Sequence, residues 1–157
     1  MTQECALSDA ALLARFANAR NRPPCSVALG LEVLALSQSP AWARLAFSAP
    51  ADWCNPMGAI QGGFVTAMLD EAMAVAGIVA GGLGYVVPTL ELKTSFLRPC
   101  PPGRLEADGR VLRWGAAAAF LEAELFDPEG RLIAKASATA MPRRLEGKAH
   151  PRAAGPG

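Results

Sequence analysis

Two adjacent carboxylates, Asp70 and Glu71, stand in a stretch from Phe64 to Ala80 whose only other polar side chain is Thr66. Neither has a Lys or Arg three or four residues away, the spacing at which helical side chains meet. An acid without a counter-ion in apolar surroundings has lost hydration, which is how proteins arrange a carboxylate for proton transfer or attack. Just upstream stand Asn55, Gly58, Gln61, Gly62 and Gly63. A glycine N–H in the first turn of a helix is an unpaired donor at the positive end of the dipole, with no Cβ in the way, and suits a carbonyl oxygen that becomes negative on attack. Gly62 and Gly63 also serve a plain loop-to-helix turn, and Asn55 also fits an Asx-turn.

The chemistry that is missing narrows the rest. The single histidine, His150, lies seven residues from the end, which leaves no histidine for a triad or a metal cluster. No GxSxG elbow, phosphate loop or dinucleotide fingerprint occurs. A carboxylate working with a backbone donor is the mechanism that remains, with no metal and no cofactor. A formal net charge of +1 and the lack of a basic stripe argue against a nucleic-acid partner. Cys5, Cys25, Cys54 and Cys100 form no CxxC pair and follow no secretory leader, so they read as free thiols of a cytoplasmic protein.

These groups need elements to hold them. Phe64 to Ala80 is apolar on every face, so it reads as a long helix buried on all sides. Ala72 to Leu90 runs 19 residues without a charge, close to a membrane span, but Gly77, Gly81, Gly82, Gly84 and Pro88 interrupt it. A buried helix, a turn and a buried strand explain that run better, and no membrane is expected. Ahead of it, Ser8 caps a short outer helix over about residues 8–20, and Leu31–Ser39 and Ala41–Ala49 form a hairpin through Pro40. After the GGLG turn come four strands, Thr89–Pro99, Arg104–Trp114, Ala116–Phe126 and Arg131–Pro142. The last carries an alanine column, Ala134, Ala136, Ala138 and Ala140, that lets a sheet approach a helix closely. With 157 residues and 52% hydrophobic content the chain makes one domain over 1–142, an α+β antiparallel sheet of about six strands curled around one helix. Residues 143–157 read as a flexible tail.

The pattern N-x-x-G-x-x-Q-G-G-x(6)-D, from Asn55 to Asp70, resembles the hotdog-fold acyl-CoA thioesterases and, within them, the PaaI-like group of phenylacetic acid degradation, whose usual pattern has His in place of Gln. The likeness extends to strand order and to TLELKTSFLRP, covering about residues 31–141. It implies that Asp70 is general base or nucleophile, that the Gly62 N–H and Asn55 hold the carbonyl oxygen, and that the Thr89 hydroxyl helps hold the water. Gln61 and Gly63 are then substrate-binding positions, Gln61 as an amide that donates but cannot shuttle a proton. Arg98 is the cation near the mouth for the phosphates of CoA. Gly62 and Asp70 are eight residues apart, roughly 12 Å along a helix, so the site is expected to be shared across a homodimer, which in this family pairs again into a homotetramer. A non-catalytic acyl-CoA binding or sensing domain on the same fold is the other reading.

Overall fold

The computed structural model describes residues 7–17 and 22–145. Ser8 caps the first helix, α1 (Asp9–Ala17), by accepting at Oγ from the Ala11 N–H, 3.2 Å. Leu12 is its buried anchor, and Asp9 ties it to the first strand by accepting from Gln38 N and Nε2 at 3.1 and 3.0 Å. A second short helix, α2 (Pro24–Ala28), starts on a proline whose fixed φ suits a first helical position. It was not legible as a helix, being five residues with no periodicity.

The two strands on either side of Pro40, β1 (Glu32–Gln38) and β2 (Ala41–Ala49), pair as the expected hairpin. Then come the long helix α3 (Gly62–Ala80), a short strand β3 (Tyr85–Val86), and β4 (Thr89–Phe96), β5 (Gly103–Trp114), β6 (Ala119–Phe126) and β7 (Leu132–Ala140). The six longer strands form one antiparallel sheet in the order β1-β2-β5-β6-β7-β4. Strand β4, which follows α3 and β3 in the chain, lies at one edge beside β7 rather than next to β5.

Period-two burial sets which side of the sheet meets the helix. On β6, Ala119, Leu121, Ala123 and Leu125 are buried, and on β7 the alanines 134, 136, 138 and 140 are buried with them. A close backbone approach lies two strands over from the alanine column, at Gly109 of β5, where a Cβ would stand 2.1 Å from the Ala72 carbonyl oxygen. Only glycine fits there. On the helix, Val65, Met68, Leu69, Ala72, Met73, Val75, Ala76 and Val79 are buried. Each of the large ones contributes about 1.5–3 kcal/mol by leaving water.

The expectation that the helix is covered on every face needs correcting for the single chain. One sheet can cover only one side, and Gly63, Phe64 and Ala67 are exposed while Asp70 and Ala74 are half-buried. The helix is long and apolar enough to cross a membrane, but half of it is packed inside this fold. The uncharged run past Ala80 breaks into a turn and β3, as its glycines suggest. Strand β3 pairs with a further short strand, β8 (Arg143–Arg144), and Tyr85 sets its ring edge-on to Trp114, 5.6 Å between centroids. The first residues assigned to a flexible tail are thus paired, while 146–157, His150 included, lie outside the described residues, as do Cys5 and residues 18–20 of the expected outer helix.

Candidate active site

The loop before α3 is built from its own hydrogen bonds. A bridge between Cys54 and Ile60 closes it. Inside, Asn55 Oδ1 accepts from Met57 N at 2.9 Å and Ala59 N at 3.3 Å, which is an Asx-turn. The oxygen of Asn55 therefore serves the loop, and its NH2 is the part able to reach a ligand. Trp53 stacks flat on Phe64, centroids 4.4 Å apart and rings 3° from parallel, fastening the loop to the first helical turn.

The helix start is nearly fully satisfied. Gln61 is the N-cap, its N–H donates to Trp53 O at 2.9 Å, and its Oε1 accepts from Gly63 N at 2.6 Å. Gln61 O accepts from Phe64 N and Val65 N at 3.0 and 3.3 Å. That leaves the Gly62 N–H as the one donor of this turn without a partner among the described residues. Gly63, expected beside Gly62 at the substrate, has its N–H taken by Gln61 instead. Gln61, expected as a substrate amide, spends its oxygen on the cap and keeps only its NH2 for a ligand.

Three pairs join one face of α3 to the edge strand β4. The ring of Phe96 lies over Gly62, with ring atoms 3.0 and 3.2 Å from where a Cβ would stand. One turn on, Thr66 Oγ1 and Thr94 Oγ1 are 3.1 Å apart. A further turn on, Thr89 Oγ1 donates to Asp70 Oδ1 at 2.8 Å. Positions 62, 66 and 70 recur at four-residue spacing and so share a face. The neighbouring acid has a different partner: Ser26 of α2, buried, donates its hydroxyl to Glu71 Oε1 at 2.5 Å. Sequence reading had no signal for Ser26, because the contact spans 45 residues.

Asn55, Gly62, Phe96 and Arg98 line one cavity of about 500 Å³, with Ile60, Val65, Cys100 and Ile133 among its apolar walls. Burial is the main cause that pushes the Cys100 thiol up to about 11, helped by the nearby Asp127 and Cys54, so this wall is neutral. Arg98 sits there with Nη1 donating to Leu132 O at 2.6 Å. Asp70 and Thr89 do not line this cavity; they form a second group two turns further along the same helix face. Another recess of about 430 Å³, lined by Arg44, Arg104, Asp108 and Asp127, holds none of these residues, and its arginines are paired, Arg44 to Asp108 at 2.7 Å and Arg104 to Glu32 at 3.0 Å. Among the described residues no three His, Cys, Asp or Glu side chains stand close enough to hold a metal.

Comparison with known proteins bears on the family and the fold. Residues 57–134 match the thioesterase superfamily. A phenylacetic acid degradation-related protein from Ralstonia eutropha, itself assigned as a thioesterase, is 31% identical, with a TM-score of 0.76 over 82% of this chain and 98% of that one. The chain belongs to the thioesterase superfamily. A single-residue variant of the phenylacetic acid degradation protein PaaI from Thermus thermophilus is also 31% identical, with a TM-score of 0.67 over 78% of this chain and all of that one. This superfamily member is therefore PaaI-like, and its curled sheet around one helix is the hotdog fold. A protein of Saccharolobus solfataricus assigned as an esterase is 34% identical over 79 residues, half of this chain. The chain matches 56% of the length of that curated relative.

Proposed function

We propose that this protein hydrolyses acyl-CoA thioesters to the free acid and CoA, with a small, medium-chain or aromatic acyl group, in the cytoplasm. The observation that carries the reading is that Gly62, whose N–H has no partner among the described residues, and Asn55, whose NH2 has none among them either, line the same cavity. Two donors converging at a helix N-terminus stabilise an oxyanion where water is excluded. Asp70 supplies the other half. A water between Asp70 and the thioester carbon gives its proton to the carboxylate as its oxygen bonds to carbon, and the C=O electrons move onto the oxygen held by Gly62. When the C–O double bond re-forms, the C–S bond breaks and CoA sulfur leaves with the proton from Asp70. Direct attack by Asp70 oxygen, followed by hydrolysis of the anhydride, uses the same groups. The Thr89 hydroxyl, donating to Asp70 Oδ1, fixes which carboxylate oxygen faces the substrate.

Gly62 and Asp70 of one chain are roughly 12 Å apart along the helix, too far for one carbon to reach both. A twofold dimer in which one subunit gives Gly62 and Asn55 and the other Asp70 and Thr89 closes that gap, and a pair of such dimers makes the tetramer. The edge of β4 supports it, since Leu90, Phe96 and Leu97 are all half or more exposed in the single chain. Arg98 at the cavity mouth is the cation for CoA phosphates, and Gln61 Nε2 adds a donor nearby. The test is thiol release from acetyl-, hexanoyl-, phenylacetyl- and hydroxybenzoyl-CoA. At least one is turned over with saturation kinetics; release from none of them overturns hydrolysis and leaves an acyl-CoA binding domain.

A further inference from the structure

Phe96 holds a position that no catalytic role explains. Its side chain is 56% exposed, yet the strand places the ring tip against the helix N-terminus, with three ring atoms 3.0, 3.2 and 3.6 Å from the site of an added Cβ on Gly62. The placement is fixed from two sides. Thr94 and Phe96 point to the same face of β4, being two apart, and Thr94 is tied to Thr66, one helical turn after Gly62. Register with Ala134 of β7 leaves the ring no large neighbour to lean on across the strand.

A carbonyl oxygen accepting from Gly62 N sits about 2.9 Å from it. The acyl carbon is one bond further and the α-carbon two, which puts substituents on the α-carbon in van der Waals reach of the ring. Ile60, Val65 and Ile133, which line the same cavity, are also apolar. We propose that Phe96 is the specificity-determining residue of this site: its ring is the wall against which the acyl α-carbon packs, admitting flat and unbranched acyl groups and rejecting those branched at that carbon. The inference rests on the acyl-CoA reading above. A methyl at 62 would crowd the ring, its carbon standing 3.0 Å from Phe96 Cζ.

The experiment uses ketone analogues, in which a methylene separates the CoA sulfur from the carbonyl so that nothing is hydrolysed. Butyryl and isobutyryl ketones have the same carbon count and differ only in branching. Their Kd values are measured by calorimetry on the full chain and on Phe96→Ala and Phe96→Leu. The wild-type protein favours the straight chain by about tenfold or more, the scale of a misfit methyl group in an apolar pocket. Phe96→Ala brings the ratio to within about threefold, and Phe96→Leu falls between. An unchanged ratio in Phe96→Ala at unchanged oligomeric mass overturns the assignment, as does a wild type without preference. If the alanine variant alters the mass, the leucine variant decides, and a ratio equal to wild type there counts against the ring. The hydrolase reading is scored separately by thiol release from the butyryl-CoA thioester: preference among ketones without thiol release removes hydrolysis and keeps Phe96, while thiol release with binding of neither ketone keeps hydrolysis and overturns the Phe96 assignment.

Discussion

Asp70 and Glu71 are neighbours that the helix turns through about 100° to different partners. Asp70 faces β4 and takes a hydrogen bond from Thr89, whereas Glu71 faces α2 and takes one from the buried Ser26. The two acids therefore differ in what removing the charge does. Asp70→Asn is expected to lower kcat by 10² to 10⁴, roughly the worth of a general base, with KM little changed. Glu71→Gln retains the hydrogen bond from Ser26 through its amide oxygen and should keep kcat within about threefold of wild type. Steady-state kinetics on both variants decides, and an active Asp70→Asn beside an inactive Glu71→Gln reverses the roles. At this scale the sequence was readable where a residue's role is local. Asn55 as an Asx-turn, Gly62 at the helix start and Ser8 as a cap all follow from neighbours within four residues. It was unreadable where a partner comes from afar: nothing near Glu71 or Gly62 in sequence points to Ser26 or Phe96. Gln61 is the intermediate case, because its amide had two uses and only the structure shows the oxygen committed to Gly63.

Between helix and sheet the deciding quantity is clearance. The alanine column on β7 promised a close approach, and the column is buried, but the approach that excludes any side chain is at Gly109 on β5, opposite the backbone of Ala72. A methyl group 2.1 Å from a carbonyl oxygen cannot be absorbed by a rotamer change, so the sheet or α3 must shift. Gly109→Ala is expected to cost about 1–3 kcal/mol, seen as a Tm lower by several degrees in a thermal melt. Since α3 carries both Gly62 and Asp70, kcat should fall with it at temperatures where the protein is still folded. An unchanged Tm would mean that the strand relaxes freely and that the clearance has no energetic weight. The long elements were legible because each repeats its pattern several times: period two in β5, β6 and β7, an unbroken apolar run in α3. Elements α2, β3 and β8 are two to five residues long and too short to show a period. They exist because tertiary neighbours, such as Trp114 beside Tyr85, make them worth forming.

For the whole molecule, the same helix that buries one face against the sheet leaves Gly63, Phe64 and Ala67 exposed on the other, and β4 leaves a strand edge unpaired among the described residues. The sequence pointed to burial all round, which one chain does not provide, since hydrophobic pattern does not say whose surface covers a helix; the proposed dimer would cover the rest. Complementation tests the shared site. Asp70→Asn and Asn55→Ala chains, each nearly inactive alone, are mixed under conditions that allow subunit exchange. In a mixed dimer one site collects both defects and the other, built from Asn55 and Gly62 of one chain and Asp70 of its partner, has neither. Random pairing makes about half of the dimers mixed, with one good site in two, so activity should return to about a quarter of wild type. Mass spectrometry of differently tagged chains verifies that mixed dimers have formed. Mixed dimers as inactive as their parents would show that each chain completes its own site, and the helix would then have to bend or unwind to bring Asp70 to Gly62.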